Sequence, residues 1–302
     1  MRAKLRALRP NCPRKVRGLY KLEPGTSHRV LVNAAFDYLL GLEIKRLAPY
    51  AVVGKLGIQK KIELLQQNPI RLSSEVWQQL ESGLKHLYAE ISDYTVRSNV
   101  NEENRKDAAR LALKLAKFEF ASVFEDPKRA LEYQADQRDV LDLVAMLDVA
   151  PVESFAANPP ILLWPELPHA TPYVHAADVD FIINDRIVEV TTTYSTTLHN
   201  YVLDELIGQL FLALKEHELD PSFPVVTRAS LYYARYGYTL TLNAEDLIQH
   251  DSFDELYNWF FDTAAQTYHY SPPAKREAEN QAKPSKTTWW EWLSSWWSHK
   301  KS

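Results

Sequence analysis

The sequence predicts a mixed α/β protein in which a helix, three strands, a second helix and a fourth strand follow one another. Apolar residues recur at helical spacing before residue 124 and again after residue 200, and short apolar or Val- and Tyr-rich runs lie between and behind these segments. Two of the runs are separated by a tight-turn signal, Asn184-Asp185. With 302 residues, 46% hydrophobic and 25% charged, the chain can bury a sizeable core.

Composition excludes several classes of site. The single cysteine, Cys12, excludes an intramolecular disulfide and any site built from several cysteines, which fits a reducing compartment. No apolar run reaches the length of a transmembrane helix, and the basic N-terminus lacks the apolar core of a signal peptide, so we expect a cytoplasmic protein. The eight glycines form neither a Rossmann fingerprint nor a phosphate-binding loop.

Residues 1–19 form a basic arm. Seven Lys or Arg and no acid occur in its first 18 residues, although the whole chain has a net charge of −4. Such an arm could bind a phosphate backbone by counterion release, or it could be a solvated tail, and the sequence leaves both interpretations open.

Residues 20–100 predict a helical region. Apolar residues recur at helical spacing over 27–47 and over 74–93. No motif in this region indicates chemistry.

Residues 101–270 carry the predicted α/β core. Its helices are predicted over 101–124, 136–147 and 201–216, and Ser252 with Glu255 forms a capping box at the start of another. Besides the hairpin described next, strands are predicted over 161–164 and 225–233. Residues 271–286 are rich in Pro, Lys and Ala without periodicity, which is typical of a linker.

Acids lie on a predicted β-hairpin around the Asn184-Asp185 turn. Asp178 and Asp180 precede its first strand, and Glu189 lies on the returning strand. Because side chains alternate along a strand and the turn has two residues, Asp180 and Glu189 should be direct cross-strand partners. Two carboxylates that close repel one another, and a divalent cation is their usual partner. Acids that only keep the strand ends soluble are the alternative.

Glu119 falls on the apolar stripe of the helix predicted over 101–124. It lies four residues after Leu115 and four before Val123, so its side chain should point inward. A buried carboxylate needs a partner, which could be a metal ion or a nearby Arg or Lys.

The last sixteen residues, 287–302, predict a Trp-rich amphipathic helix that holds five of the eight tryptophans. Its apolar face is formed by Trp289, Trp292, Leu293, Trp296 and Trp297. An exposed face of this kind marks an interaction site. Peripheral contact with a membrane surface, docking on the protein's own body and docking in a partner's groove remain open.

The hairpin resembles the motif of the PD-(D/E)xK nuclease superfamily, in which one acid precedes a strand and a second acid lies two residues before a lysine. The segments 115–119, 142–147 and 231–237 are similar to blocks of an uncharacterised bacterial family in that superfamily. There the hairpin typically reads Ala-Asp-Ala-Asp and then Asp-Ile-Lys-Thr-Thr. The resemblance covers about residues 105 to 245 and implies a restriction-endonuclease-like α-β-β-β-α-β core.

This resemblance implies a metal site and an activity. Asp180 and Glu189 match the ligands of Mg²⁺ or Mn²⁺, Glu119 takes the place of the acid that the first core helix often supplies, and Asp178 is an alternate or additional ligand. The implied reaction is hydrolysis of DNA or RNA phosphodiesters.

The chain departs from the family at the position of the motif lysine, which is Thr191 here. A hydroxyl can hold a water molecule but carries no positive charge. On the later helix, Glu205 and Gln209 replace the family's Gln-x-x-x-Tyr pair, and Glu205 could act as an outer-sphere ligand. None of the lysines considered as substitutes is expected to point into the site: Lys114, Lys117 and Lys215. The sequence thus favours a metal-dependent nuclease with a degenerate site, and leaves open an inactive nuclease-fold protein that binds nucleic acid or a protein.

Overall fold

A computed structural model describes residues 16, 20–67, 74–120, 132–174, 177–248 and 252–270. Over these residues the protein is a mixed α/β structure with a six-stranded mixed sheet and helices on both of its faces. No helix among them is long and apolar enough to cross a membrane. Apart from Val16, the basic arm lies outside the described residues, as do the predicted linker and the Trp-rich segment.

The helices follow the chain in the order α1 (Arg29–Leu47), α2 (Gly57–Gln67), α3 (Ser74–Thr95), α4 (Glu102–Phe120), α5 (Gln137–Asp148), α6 (Val152–Ala156), α7 (Thr171–Val174), α8 (Asn200–Leu219), α9 (Ala244–Ile248) and α10 (Phe253–Thr267). The strands are β1 (Val52–Val53), β2 (Ile161–Leu163), β3 (Phe181–Ile183), β4 (Arg186–Thr191), β5 (Arg228–Tyr233) and β6 (Tyr238–Asn243).

Strand order in the sheet follows chain order. Strands β2, β3 and β4 form an antiparallel meander, and β5 and β6 are also antiparallel. Strand β4 pairs in parallel with β5, and α8 makes the crossover that a parallel pair requires. The short β1 pairs in parallel with β2.

Within the described residues, the predicted helices and strands are present with small shifts at their ends. Five predicted helices correspond to α1, α3, α4, α5 and α8, and the helix expected after Ser252 is α10. The half of the predicted capping box that Ser252 should supply is not formed, because the Ser252 side chain makes no cap hydrogen bond. Strand β6 was not predicted, since the chain turns into it through a short 3₁₀ helix and Gly237, whose φ of 54° favours glycine.

Two layers of helices enclose the sheet. On one face α1, α3, α4 and α5 pack against inward side chains such as Phe181, Val188 and Tyr232. On the other face α8 and α10 pack against Ile182, Ile187 and neighbouring apolar side chains. Alternate residues of one strand therefore contribute to the two layers, as the pleat requires. Helix α1 lies against α4 and near β4, which places both helices beside the hairpin.

A buried ion pair links α5 to the end of the sheet on the face that α1, α3, α4 and α5 cover. Arg235 follows β5, is 1% exposed, and donates two hydrogen bonds to the carboxylate of Asp142 on α5, at 2.8 and 2.7 Å. Its Nε donates to the carbonyl oxygen of Thr192, just after β4, at 2.7 Å. Asn33 of α1 holds the same residue, since its Oδ1 accepts from the Thr192 backbone N–H at 2.9 Å. The chain after β4 is thus fixed from two sides.

Candidate metal centre

The hairpin has the register that the sequence predicts. Asn184 occupies the turn with a φ of 58°, a left-handed conformation that asparagine tolerates. Ile183 pairs with Arg186 and Phe181 with Val188, and extending this ladder by one residue sets Asp180 opposite Glu189.

Backbone hydrogen bonds fix both acids of this pair. The Oδ2 atom of Asp180 accepts a hydrogen bond from the Val190 N–H at 2.8 Å. Glu189 Oε1 accepts a longer one from the Asp180 N–H at 3.4 Å. Each acid therefore bonds to the strand of the other, which keeps the two carboxylates on the same side of the hairpin.

Glu119 comes from the last turn of α4 and is partly buried, in keeping with its place on the apolar stripe. Its partner is a tyrosine, since the Tyr38 hydroxyl on α1 donates to Glu119 Oε2 at 2.7 Å. Gly57, the first residue of α2, lies against this pair, and a Cβ there would stand 2.4 Å from Glu119 Cδ and 2.6 Å from the Tyr38 oxygen. Glycine at this position lets the start of α2 approach the carboxylate.

Asp37 of α1 is a fourth acid, and the sequence analysis missed it. Its Oδ1 is buried and has no hydrogen-bond partner within the described part of the chain. Burying a carboxylate oxygen without a hydrogen-bond donor costs free energy, and binding of a cation or a proton offsets that cost. The sequence does hold a signal for Asp37, because it is the one charged residue between Arg29 and Glu43 in a mostly apolar helix.

We call Asp37, Glu119, Asp180 and Glu189 the acid cluster. Burial, then the charges of the other three acids, raises the pKa of Asp37 well above its usual value. Burial also raises the pKa of Asp180 to about 7, although its hydrogen bond from the backbone opposes the rise. Burial and then the charge of Asp180 raise the pKa of Glu189. All three shifts have one physical basis, which is negative charge crowded in a poorly solvated place.

The predicted helix residues on α8 lie at the edge of this cluster. Gln209 is buried, donates to the carbonyl oxygen of Asp178 at 3.2 Å, and makes a hydrogen bond that opposes the rise in the pKa of Glu189. Glu205 is exposed, yet its charge contributes to the raised pKa values of Asp180 and Glu189. Both side chains thus affect the acid pair without belonging to the four acids described above.

Two predicted residues have other partners. The Asp178 side chain is 81% exposed and pairs with Lys60 of α2, Nζ to Oδ1, at 2.6 Å. Thr191 turns its hydroxyl to the backbone, because Oγ1 accepts a hydrogen bond from the Thr193 N–H at 3.3 Å.

The acid cluster fits a divalent cation by its chemistry. Hard cations such as Mg²⁺ and Mn²⁺ prefer carboxylate oxygens, and the unpartnered Oδ1 of Asp37 is an available ligand. The cluster acids do not bring three ligand atoms within 4.8 Å of one another among the described residues. A shared ion would therefore require rotation of the carboxylates about their side-chain bonds.

In the described segments, one trio of possible metal ligands does have its ligand atoms within 4.8 Å of one another: His169, Glu216 and Asp220. Glu216 is 1% exposed, and its Oε1 pairs with His169 Nδ1 at 2.7 Å. Its Oε2 accepts from the backbone N–H groups of His169 and Ala170 at 2.9 and 2.8 Å. Because protein donors already satisfy both oxygens, this trio ties the segment before α7 to α8 as a structural contact.

Comparison with known proteins adds no relative. No protein-family model, no curated protein and no solved structure matches the chain.

Proposed function

We propose that the acid cluster binds Mg²⁺ or Mn²⁺ and that the protein is a PD-(D/E)xK-like enzyme that hydrolyses nucleic-acid phosphodiesters. One observation carries the proposal. Four carboxylates from two helices and a hairpin come together, and burial, followed by the charges of neighbouring acids, raises the pKa values of Asp37, Asp180 and Glu189. Structural acids in a core usually pair with cations, whereas perturbed and unpaired acids are typical of functional sites.

The arrangement of elements supports the same proposal. The order of α4 or α5, then β2, β3 and β4, then α8 and β5 is the order that a restriction-endonuclease-like core requires. The acids lie on the central hairpin of this series and on the helices that cover its first layer. Because a fold alone does not determine an activity, the proposed hydrolysis depends mainly on the acid cluster.

Each residue has a part in the proposed reaction. Asp37, Glu119, Asp180 and Glu189 would hold the cation, which supplies positive charge to polarise the phosphate and to favour ionisation of water. Tyr38 orients the Glu119 carboxylate through its hydrogen bond, and Gln209 does the same for the hairpin. In the hydrolysis, a water oxygen bonds to phosphorus, the bond to one sugar oxygen breaks, and that oxygen receives a proton.

Thr191 favours a second candidate function. It stands where the superfamily has lysine, and its hydroxyl accepts a hydrogen bond from the backbone. Without a cation at this position the fold could bind nucleic acid or a partner protein without cleaving anything.

A cleavage assay separates the two candidates. We expect the full chain to degrade labelled DNA or RNA in Mn²⁺ or Mg²⁺ and not in EDTA, and we expect Glu189→Ala to abolish the activity. Thr191→Lys should raise the cleavage rate by about 10²-fold, which is the typical effect of one well-placed electrostatic contact on a rate. Retention of nucleic-acid binding, with cleavage only by Thr191→Lys, would favour the binding module. Activity of Glu189→Ala equal to that of the wild type would refute the metal site.

A further inference from the structure

We propose that Lys60 supplies the positive charge that Thr191 lacks, by contacting a non-bridging oxygen of the substrate phosphodiester beside the acid cluster. The inference rests on the proposed function and names a residue outside the motif. It assigns a role in substrate binding to α2, a helix in which the sequence shows no chemical motif.

The position of α2 brings Lys60 to the site. The helix begins at Gly57, in contact with Glu119 and Tyr38. Lys60 lies three residues later, so the two residues share a side of the helix. The anchor at Gly57 therefore directs Lys60 toward the side on which the cluster lies.

An ion pair beside the hairpin holds the ammonium group of Lys60. Lys60 Nζ lies 2.6 Å from Asp178 Oδ1, and Asp178 is two residues before Asp180 in the segment that leads into β3. Two residues of chain span at most about 7 Å between their Cα atoms. The ammonium group therefore pairs with a neighbour of the acid cluster and not with one of its four acids.

Solvent access distinguishes Lys60 from Lys215 and Arg235. The Lys60 side chain is 40% exposed and its partner Asp178 is 81% exposed, so a phosphate arriving from solvent can replace the pair. In the described part of the chain, no other Lys or Arg forms an ion pair with the cluster acids, Asp178 or Glu205. Lys215 pairs with Glu218 instead, and Arg235 is committed to Asp142.

Asp178 consequently has a different role from the ligand role expected from the sequence. An exposed ion pair contributes little to stability and exchanges readily. Asp178 therefore holds the lysine in place while no phosphate is bound. A phosphodiester offers a competing anion, and lysine binds phosphate as a flexible point charge.

The test compares Lys60→Met, Lys60→Arg and Asp178→Asn with the wild-type full chain. The probes are Mn²⁺ alone and short fluorescein-labelled DNA and RNA oligonucleotides. Lys60→Met should leave Mn²⁺ affinity unchanged or slightly increased and lower the cleavage rate by about 10²-fold. It should also reduce by about one the slope of log affinity against log salt, as expected when one phosphate contact is lost. Lys60→Arg should retain most of the activity because the charge remains.

Two matched variants control for structural effects. Lys55→Met removes a nearby lysine whose partners, Glu63 and Glu166, are outside the cluster, and it should behave as the wild type. Asp178→Asn releases Lys60, so oligonucleotide binding should tighten. If Asp178→Asn instead reproduces the losses of Lys60→Met, the ion pair is only structural and the proposal is wrong.

The two proposals can fail separately. A wild type that binds Mn²⁺ and oligonucleotide, together with a Lys60→Met variant of equal affinity, salt slope and rate, would overturn the role of Lys60 alone. A wild type that binds neither Mn²⁺ nor any oligonucleotide would overturn the proposed function and, with it, this inference.

Discussion

Replacement of Asp142 by asparagine is expected to lower the free energy of unfolding by about 3–5 kcal/mol, because it leaves a buried guanidinium without its counter-ion. Arg235 is 1% exposed, and both of its hydrogen bonds to a carboxylate end on Asp142. Urea denaturation of the wild type and of Asp142→Asn measures the loss.

The control for this variant lies on the same helix. Asp148, at the end of α5, pairs with Arg105 at 2.8 Å, but both side chains are more than 40% exposed. Asp148→Asn should therefore change the unfolding free energy by less than about 1 kcal/mol. Similar small losses of unfolding free energy in both variants would show that the buried Arg235–Asp142 pair stabilises the fold no more than an exposed pair does. A large loss in Asp142→Asn alone would also affect the site, since Arg235 holds Thr192 at the end of β4.

Glu189→Gln is expected to weaken Mn²⁺ binding by at least about a hundredfold, since changes even in outer-sphere partners cost ten- to a hundredfold. The variant should also be more stable than the wild type without metal, because a neutral amide avoids the cost of burying an acid at this position and removes its repulsion with Asp180. The measurement is the rise in thermal unfolding midpoint on adding Mn²⁺, which reports the binding free energy.

Glu205→Gln tests whether the loss of Mn²⁺ affinity in Glu189→Gln comes from removing a metal ligand or only from removing a negative charge. Glu205 is exposed and contributes only its charge to the raised pKa values of the cluster. Its replacement should reduce Mn²⁺ affinity by about tenfold, the lower end of the range for an outer-sphere group. Equal losses in the two variants would mean that general negative charge, and not ligation, attracts the ion.

Local rules explain why the hairpin could be predicted. A two-residue turn fixes the register, and the register fixes which acids face one another, so Asp180 and Glu189 follow from the sequence. The inward direction of Glu119 also follows, because the helical period sets it. Its partner Tyr38 does not follow, since 81 residues separate the two side chains.

Contacts between distant segments account for what the sequence missed. Asp37 and Lys60 belong to helices with no recognisable motif, and only packing of α1 and α2 beside α4 brings them to the hairpin. The mostly apolar sequence around Asp37 could have marked this residue as unusual. The sequence around Lys60 does not mark it, because a lysine on a helix surface is common.

The acid cluster is tested most directly by calorimetric titration of the full chain with Mn²⁺ near pH 7, in two buffers with different ionisation enthalpies. Burial raises the pKa of Asp180 to about 7, so this carboxyl group is partly protonated near this pH, and a bound cation must displace the proton. We predict saturable binding whose heat differs between the buffers, and loss of that signal in Glu189→Gln. No saturable binding, or an identical titration of the wild type and Glu189→Gln, would contradict a metal site at these acids.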